Sequence, residues 1–555
     1  MNKLIIEDYC TFNSDDPSKQ SFISLTGFND NSCEILGTEN NVWLRNKLED
    51  HRNKFSSTLS QYLRDEMVIS CKFQGHDYLG SPIVTTLQKL LICLEGTIDK
   101  TIDYRGSSTA VNYLLNNKQK NFFSIKRCMH IAVIFLKKIV AIGFKFFLNF
   151  SGKRQVNTYT TLIYTIPISL KKQDERLNCR YWGDQFSELL NHERTCLMMR
   201  SGRSWYESEA RFIHEYDLLP FYVFPTFCWL CLRDLWRRSK ALAKVSKFEE
   251  KGRTEPSGEQ MCRWYWIDSA VDDLVEDTLT HVLYTFIGKR MGRTLTPHAR
   301  LFLLSENQAW ERSFQFGLSC VGFEGTVVNF YHTGIKPNEA RYDSHKIMLG
   351  SVIKKHKNVF CAASPAFVKD EGQIDFLVPN WKLKKTVSSF SRCTFSSVSG
   401  ASVLIFGDFN LSITAEMIGV VLKYLDKFTA DKSVLVKWHP AWSRSKIRLC
   451  KGKLLGARVV DFGDGTDFAI NWAVSSCFST AALDGFKLGF KNCLFTRAEW
   501  LNLTPIPTGF FERIITAGRL IECPAPPDQI DSGDMLAGRF ALEEVSWEHV
   551  IDRVK

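Results

Sequence analysis

The feature that most constrains the fold of this chain is an alternation of short apolar runs with longer helical ones. In residues 156–390 the predicted strands are Arg300–Leu304, Cys320–Phe323 and Asn358–Ala362, and the predicted helices are Ile267–Arg290 and Ala309–Phe316. Alternation of this kind is typical of βαβ units, whose strands form a mostly parallel sheet. The sequence therefore predicts an α/β protein.

A second alternating region follows a serine-rich segment, Ser388–Gly400, which we interpret as a linker. The strands predicted there are Ala401–Phe406, Ser433–Trp438, Ala457–Phe462, Ala473–Phe478 and Asn492–Phe495. The predicted helices are Ala415–Phe428, Thr480–Gly489 and Ser546–Val554, the last capped by Ser546. We expect two Rossmann-like domains, an acceptor-side domain at 156–390 and a donor-binding domain at 400–555, with a ligand cleft between them.

Two further regions precede these domains. Residues 1–103 form an N-terminal α/β-helical region, with a strand at Lys3–Glu7 and helical segments at Asn41–Glu66 and Val84–Gly96. Residues 104–155 form a basic insert, and a strand at Tyr159–Leu170 follows it.

The positive charge of the chain is concentrated in one place. The formal net charge is +11, and the stretch between Asp103 and Asp174 contains twelve Lys and Arg residues but no acidic residue. The rest of the chain is therefore nearly neutral, which argues against a uniformly basic surface for nucleic acid. We expect no nucleic-acid partner, because no RNA-recognition signature accompanies the charge.

The basic stretch contains an amphipathic segment, Met129–Phe150. It is long enough to cross a bilayer, but Lys137 and Lys138 would lie near its centre. On a helical wheel one stripe carries Arg127, His130, Lys138, Ala141 and Lys145. We expect residues 118–154 to lie on an anionic membrane surface, with lysines at the headgroups. A core helix with one exposed edge is the alternative.

The cysteines and the N-terminus indicate where the protein works. Seventeen cysteines are scattered singly except for Cys228 and Cys231, a pattern that favours a reducing compartment. Apolar neighbours, among them Trp229 and Leu232, favour a core position for this pair over a redox or zinc site. The first eight residues do not form a signal peptide. We expect a cytoplasmic protein, peripheral to the inner face of the cytoplasmic membrane.

Several common catalytic motifs are absent from the sequence. It lacks the glycine-rich dinucleotide and Walker fingerprints, the Gly-x-Ser-x-Gly elbow and His-Glu-x-x-His. It also lacks any Asp-x-Asp triplet, the usual metal clamp of single-domain glycosyltransferases. We therefore expect no metal and no cofactor, and a metal-free way of holding a nucleotide phosphate.

His439-Pro440 is the strongest positive signal. The pair follows the apolar run Val434–Val436, so His439 lies where open α/β sheets bind ligands. Its imidazole could donate to a phosphate or protonate a leaving oxygen. A simple turn is the alternative.

A hydroxyl-rich strand-to-helix turn follows about 35 residues later. It contains Ser475, Ser476, Ser479 and Thr480 ahead of a predicted helix start. Exposed N–H groups at a helix start bind anions, and the hydroxyls add donors. The alternative is an ordinary serine N-cap.

This pair of motifs resembles the donor site of bacterial sialyltransferases and related capsule enzymes, which use CMP-activated acidic sugars. The stretches Leu303–Glu311 and Gly322–Thr326 are similar to surface-carbohydrate biosynthesis proteins of lipopolysaccharide and capsule clusters. The resemblance spans roughly residues 156–500. It implies a GT-B fold, a His and hydroxyls that hold the CMP phosphate, and an acidic base in the N-terminal half.

Several acidic residues are candidates for that base. Asp370-Glu371-Gly372 matches the acidic-acidic-Gly motif of sialyltransferases, ahead of His-Pro. Glu306 follows an apolar strand and is therefore expected in the same cleft, where it could deprotonate an acceptor hydroxyl. We rank Glu306 first, Asp370 and Glu371 second, and Glu324 third. Glu306 could instead be an N-cap acid.

The sequence thus predicts a metal-independent glycosyltransferase of surface polysaccharide biosynthesis. Its donor would be a CMP-activated nonulosonic acid or related sugar, and its acceptor a glycan or lipid-linked glycan. Two alternatives stay open: a GT-B transferase with a UDP-sugar, GDP-sugar or CDP-alcohol donor, and a non-catalytic transferase-like scaffold.

Overall fold

The structure is a computed structural model. It describes residues 3–7, 22–24, 50–72, 101–105, 123–148, 159–165, 170–173, 176–179, 181–183, 186, 194–199, 224–247, 258–306, 308–332, 355–364, 374–380, 393–395, 402–428, 434–439, 442–452, 459–462, 468–496, 502, 504–506, 510–516, 519–523 and 544–554.

Most strands of the first half belong to one parallel sheet. A small parallel sheet precedes it, with order β2-β1-β3 and strands β1 (Lys3–Glu7), β2 (Phe22–Ser24) and β3 (Thr101–Arg105). The next strands are β4 (Tyr159–Thr165), β5 (Leu170–Gln173), β6 (Arg176–Cys179), β7 (Thr195–Met199), β8 (Leu295–Leu304), β9 (Thr326–Tyr331), β10 (Lys357–Ala363) and β11 (Phe376–Val378). The main sheet, which we call the first sheet, has the order β11-β10-β9-β8-β4-β7 and is parallel throughout. β5 and β6 form an antiparallel pair.

A helical layer accompanies the first sheet. After the helical residues 50–60, its helices are α1 (Asp65–Ile69), α2 (Ile125–Leu148), α3 (Phe224–Ser246), α4 (Gly258–Asp272), α5 (Leu274–Thr294) and α6 (Ala309–Cys320). α5 and α6 touch through their backbones, since a Cβ at Gly288 would lie 2.1 Å from the Phe314 carbonyl oxygen. A Cβ at Gly317 would lie 2.3 Å from the Thr285 carbonyl oxygen. The two glycines therefore fix the position of α6, which begins beside the end of β8.

The second half builds another sheet, which we call the second sheet. Its strands are β12 (Cys393–Phe395), β13 (Ser402–Phe406), β14 (Val434–Lys437), β15 (Val459–Asp461), β16 (Phe468–Ser476), β17 (Lys491–Thr496), β18 (Arg513–Thr516) and β19 (Arg519–Glu522). The order is β15-β14-β13-β16-β17-β18-β19, with β12 beside β16 and only the β18–β19 pair antiparallel. The accompanying helices are α7 (Leu411–Lys423), α8 (Leu425–Phe428), α9 (Arg444–Gly452) and α10 (Ala482–Lys487), and α11 (Trp547–Arg553) follows them in the chain. The chain is thus a mixed α/β protein with parallel sheets, as the alternation predicted.

The last helix, α11, packs on the first sheet although it follows the second in the chain. Ser546 caps it by accepting a hydrogen bond from the His549 N–H, as predicted. Trp547 and Val550 join the core of the first sheet, and the Val545 N–H donates to the Leu377 carbonyl at 2.9 Å. The predicted boundary of the 400–555 domain thus includes a helix that packs with the other half.

Two predictions, one of a strand and one of a linker, are wrong in detail. Cys320–Phe323 is not a strand, because α6 ends at Cys320 and Gly322 adopts a φ of +73°, which is typical of a helix end. The predicted linker Ser388–Gly400 contains β12, which pairs with β16. Within the predicted run Tyr159–Leu170, β4 reaches Thr165 and β5 begins at Leu170, and residues 166–169 lie outside the described residues.

Helix predictions also differ at their ends. The Ile267–Arg290 run belongs to two helices that meet at Asp273, and Ala415–Phe428 is interrupted at Tyr424. α7 begins earlier than predicted because Asn410 caps it, accepting from the Ser412 N–H at 3.0 Å. Val84–Gly96 and residues 41–49 lie outside the described residues.

The basic stripe of α2 is oriented differently from the prediction. Arg127 forms ion pairs with Asp268 and Asp272, and Lys138 forms one with Glu276 at 2.5 Å. These acids lie on α4 and α5, so two cations of the stripe face protein rather than headgroups. No helix in the described part of the chain is long and apolar enough to cross a membrane.

Candidate functional site

Three neighbouring strands of the second sheet end in polar residues. β13 is followed by Gly407 and Asp408, β14 by Trp438 and His439, and β16 ends at Ser476. β13 pairs in parallel with both β14 and β16, so the three carboxyl ends lie at one edge. The structure thus places the predicted residues His439 and Ser476 at the same edge.

Gly407 lets the ends of β13 and β14 approach closely. Its N–H donates to the Lys437 carbonyl oxygen at 2.8 Å. A Cβ at Gly407 would lie 3.0 Å from that oxygen and 3.1 Å from the His439 backbone nitrogen. A larger residue would therefore push His439 away from the end of β13.

Asp408 is a buried carboxylate that connects the strand ends. One of its oxygens accepts from the Asn410 N–H at 2.7 Å, and the other accepts a short hydrogen bond from the Ser476 hydroxyl. Its backbone N–H donates to Thr414 Oγ1 at 2.9 Å, and Trp442 Nε1 donates to its carbonyl at 3.2 Å. Asp408 therefore holds the end of β16 against the start of α7.

Sequence reasoning missed Asp408, although a signal for it was present. The residue follows the apolar strand Ser402–Phe406 by one glycine, which is the same strand-end position that singled out His439.

An aromatic side chain lies against His439. The Phe409 ring lies 5.5 Å from the His439 ring at an interplanar angle of 82°, and 6.5 Å from the Trp442 ring. Phe409 is largely exposed and His439 partly so, hence a ligand could reach both. An imidazole beside an exposed aromatic face could bind a phosphate together with a planar base.

The hydroxyl-rich turn differs from its prediction. α10 contains only Ala482–Lys487 instead of Thr480–Gly489, and Ala481, not a serine, is its N-cap. Ser479 Oγ accepts from the Ala481 N–H at 3.2 Å, a local turn that competes with the helix. Ser479 and Thr480 are partly exposed after the end of β16. They remain near the strand edge, but a long helix does not start there.

The other two predicted donor residues stand apart. Ser475 is buried within β16, and side chains alternate along a strand, so it faces the opposite side of the sheet from Ser476. Pro440 lies outside the described residues.

A second polar cluster occupies the carboxyl edge of the first sheet. Glu306 follows β8 and His332 follows the neighbouring parallel strand β9. His332 Nε2 lies 3.5 Å from Glu306 Oε1, and Gln308 Nε2 donates to Glu306 Oε2 at 2.7 Å. The Tyr181 ring is 4.3 Å from the His332 ring. Glu306 is partly exposed at this edge.

Glu311 lies beneath this cluster, at the start of α6. It is 1% exposed, and it accepts hydrogen bonds from the Ser305 hydroxyl at 2.7 Å and from the Glu306 N–H at 2.9 Å. Burial raises the pKa of its carboxyl from 4.5 to about 7, and the negative charge of Glu306 acts in the same direction. Glu311 thus positions the backbone at Glu306 and carries a titratable proton of its own.

His332 and Glu311 were not chosen from the sequence. β9 was not predicted, so nothing indicated that His332 follows a strand, and Glu311 was seen only as part of a helix.

The remaining base candidates are not brought to this cluster. Glu324 precedes β9 whereas Glu306 follows β8, and these strands are parallel, so the two acids lie at opposite edges. Glu324 therefore does not lie at the edge that carries Glu306 and His332. Asp370 and Glu371 lie outside the described residues. Across the residues that the structure covers, no group of three or more His, Cys, Asp and Glu side chains could hold a metal ion.

The chain matches no protein-family model, no curated protein and no solved structure. Function therefore has to be argued from the chemistry of the two strand-edge clusters.

Proposed function

We propose that this chain is a GT-B glycosyltransferase that transfers an acidic sugar from a CMP-activated donor to a glycan during surface polysaccharide biosynthesis. The observation that carries the proposal is that polar side chains lie together at the carboxyl ends of the strands in both sheets. His439 is at one edge with Asp408 and Ser476, and Glu306 is at the other with His332. Ligands of open α/β sheets bind at such edges.

The second sheet would bind the donor. His439 would hold the CMP phosphate together with the hydroxyls of Ser479 and Thr480, and Phe409 would offer a face to the cytosine ring. The imidazole and the two hydroxyls can donate hydrogen bonds, and none of these groups carries a negative charge. They could hold a single phosphate without a metal, in keeping with the lack of an Asp-x-Asp triplet.

The first sheet would supply the base. In the proposed reaction, Glu306 accepts the proton of the acceptor hydroxyl while the hydroxyl oxygen attacks the anomeric carbon of the donor. The bond from that carbon to the CMP oxygen breaks, and the oxygen leaves with the electron pair. His439 donates a hydrogen bond to the departing phosphate and stabilises its developing charge. His332 and Gln308 orient the two oxygens of Glu306.

The enzyme would work at the inner face of the cytoplasmic membrane, on a growing or lipid-linked glycan. Support comes from the acid-free basic segment, in which twelve cations occur between Asp103 and Asp174.

The experiment is a thermal-shift panel with CMP, UDP and GDP. At a CMP concentration about 100-fold above its dissociation constant, CMP should stabilise the protein by about 2.7 kcal/mol. His439→Ala should lose this stabilisation and the transfer activity but keep the unfolding temperature of the free protein. His298→Ala is the control: it replaces an exposed histidine on β8 of the first sheet, and it should behave as wild type. Full activity of His439→Ala with every CMP-sugar would refute the assignment.

The same panel separates the alternatives. Stabilisation by UDP or GDP but not CMP would show a different donor. CMP binding without transfer to any glycan acceptor would favour a transferase-like scaffold.

A further inference from the structure

The outward face of α2 is apolar. Its exposed large apolar side chains recur at spacings of three and four residues, which places them on one face of the helix. They are Ile125, Met129, Val133, Leu136 and Val140. The opposite face packs on the core of the first sheet through Ile131, Ile134, Phe135, Ile139 and Ile142. The ion pairs of Arg127 and Lys138 fix this orientation, so the apolar face is held outward by the fold.

α3 presents a second apolar row of the same kind. Trp229, Leu232 and Trp236 are 66%, 51% and 69% exposed, whereas Phe227 and Cys231 on the other side are fully buried. This arrangement corrects the expectation that Trp229 and Leu232 surround Cys228 and Cys231 in the core. Two exposed tryptophans on one helix face are unusual for a surface that meets only water.

The two rows belong to one helical layer. α2 and α3 both contact α5. Ile131 of α2 and Leu235 of α3 each pack against the same two hydrophobic clusters, one at the first sheet and one at the helical residues 50–72. Because both inward faces meet this common core, both apolar rows point away from it.

The charges beside the two rows are positive. α2 contains no acidic residue, and the single acid of α3, Asp234, is buried. Lys126 and Lys137 are exposed along α2, and Lys240 and Lys244 along α3. Asp272 and Glu276, the exposed acids that contact α2, form ion pairs with Arg127 and Lys138.

The surface at the start of α2 brings polar and apolar side chains together, namely Ser124, Lys126, Arg127, Met129, His130 and Val133. Cationic and hydroxyl groups thus lie next to apolar side chains, which is the combination that a phospholipid headgroup and its first methylenes would meet.

We propose that the exposed rows of α2 and α3 form a docking surface for an anionic lipid bilayer. The aliphatic side chains and the two indoles would enter the boundary between headgroups and acyl chains, and Lys126, Lys137 and Lys240 would reach lipid phosphates. An anionic bilayer fits better than an acidic or neutral protein partner because the exposed charges on both helices are lysines, whereas Asp234 is buried and Asp272 and Glu276 are ion-paired. This proposal names the surface that would contact the membrane, and it rests on the proposed function because that function places the enzyme at a membrane.

The test is cosedimentation of the full-length protein with phosphatidylcholine vesicles that contain or lack phosphatidylglycerol. Wild type should bind the anionic vesicles at least about tenfold more tightly than the neutral ones. The double variant Trp229→Ser/Trp236→Ser should bind both kinds of vesicle about tenfold or more weakly. Lys126→Glu/Lys137→Glu should lose only the preference for anionic lipid. Leu449→Ser replaces an equally exposed apolar residue on α9, and it should bind as wild type.

The nucleotide panel separates this proposal from the proposed function. Loss of vesicle binding with an unchanged CMP shift would support the docking surface, whatever the donor proves to be. Absence of vesicle binding by wild type would overturn it. Unchanged binding by the tryptophan variant would also overturn it, as would a wild-type dimer in solution that this variant dissociates, since a second copy would then cover the surface.

Discussion

The carboxyl group of Glu311 combines full burial with two hydrogen-bond donors and a neighbouring acid. Ser305 and the Glu306 N–H stabilise the ionised form, but burial outweighs them and raises the pKa to about 7. The residue is thus protonated over part of the physiological range, directly beneath the proposed base. A proton on Glu311 reduces the negative charge that Glu306 experiences.

This raised pKa predicts a specific pH dependence of stability. The folded state holds the Glu311 proton up to about pH 7, whereas an unfolded glutamate releases it near pH 4.5. Between these values the folded state binds more protons, so stability falls as pH rises, by roughly 3 kcal/mol in all. Glu311→Gln keeps both hydrogen bonds, because its oxygen can accept from Glu306 and its amide can donate to Ser305.

Unfolding measured from pH 4.5 to 8 should therefore show a smaller loss of stability in Glu311→Gln than in wild type. The variant should be the more stable protein at pH 8. Equal slopes for the two proteins would mean that the carboxyl is ionised throughout. Glu324→Gln, at an exposed site on the opposite edge, is the matched control.

Sequence patterns located the strands of this fold better than they identified which face of a helix packs inward. Apolar runs such as Arg300–Leu304 gave strands whose ends carry Glu306 and His439, and this strand-end rule is local in sequence. The inward face of α2 depends on Asp268, which is 141 residues from Arg127 along the chain. Periodicity identified the helix, but no local pattern could show which stripe an acid so distant would pair with.

β9 shows a further limit of sequence reasoning. Its sequence includes the buried Asn329, which donates to Asn358 at 2.9 Å and accepts from Gln315 at the same distance. A polar residue in a short run weakens the strand signal, although its partners satisfy it in the fold. His332 was missed for this reason.

A buried arginine of α6 binds the helical residues 50–72, which also contact Arg238 of α3 and Asp277 of α5. Arg312 donates from Nε to the Ile69 carbonyl and from Nη2 to the Cys71 carbonyl at 2.7 Å, at the end of α1. Arg312→Leu would leave the buried Cys71 carbonyl and the partly buried Ile69 carbonyl without these donors, at a cost of about 3 kcal/mol. We expect faster cleavage within residues 50–72 in limited proteolysis and a lower unfolding temperature.

Arg444→Leu, at an exposed arginine of α9, should leave the cleavage pattern unchanged. Wild-type protection of residues 50–72 in Arg312→Leu would show that other contacts hold α1 in place.

At the scale of the whole molecule, the chain returns to its first sheet at its end. Trp547 is fully buried, with ring centroids 5.3 Å from Trp182 and 5.0 Å from Phe330. β9, which contains Phe330, ends beside His332, so the last helix supports the strand that carries part of the proposed acceptor site. The second half of the chain is thereby connected to the first half twice. The first connection is covalent, through the chain before β12, and the second is the packing of α11 on the first sheet.

Trp547→Ala should therefore destabilise the first sheet rather than the second. Removal of a fully buried tryptophan costs about 3–5 kcal/mol, because the surrounding rings cannot close the cavity. In hydrogen exchange followed by mass spectrometry, peptides of β4 and β9 should exchange faster, whereas peptides of β13 and β14 should keep their wild-type protection. Glu548→Ala, at an exposed position on the same helix, should change stability by less than about 1 kcal/mol. Faster exchange confined to α11, with β9 unchanged, would mean that the helix covers the first sheet without stabilising it.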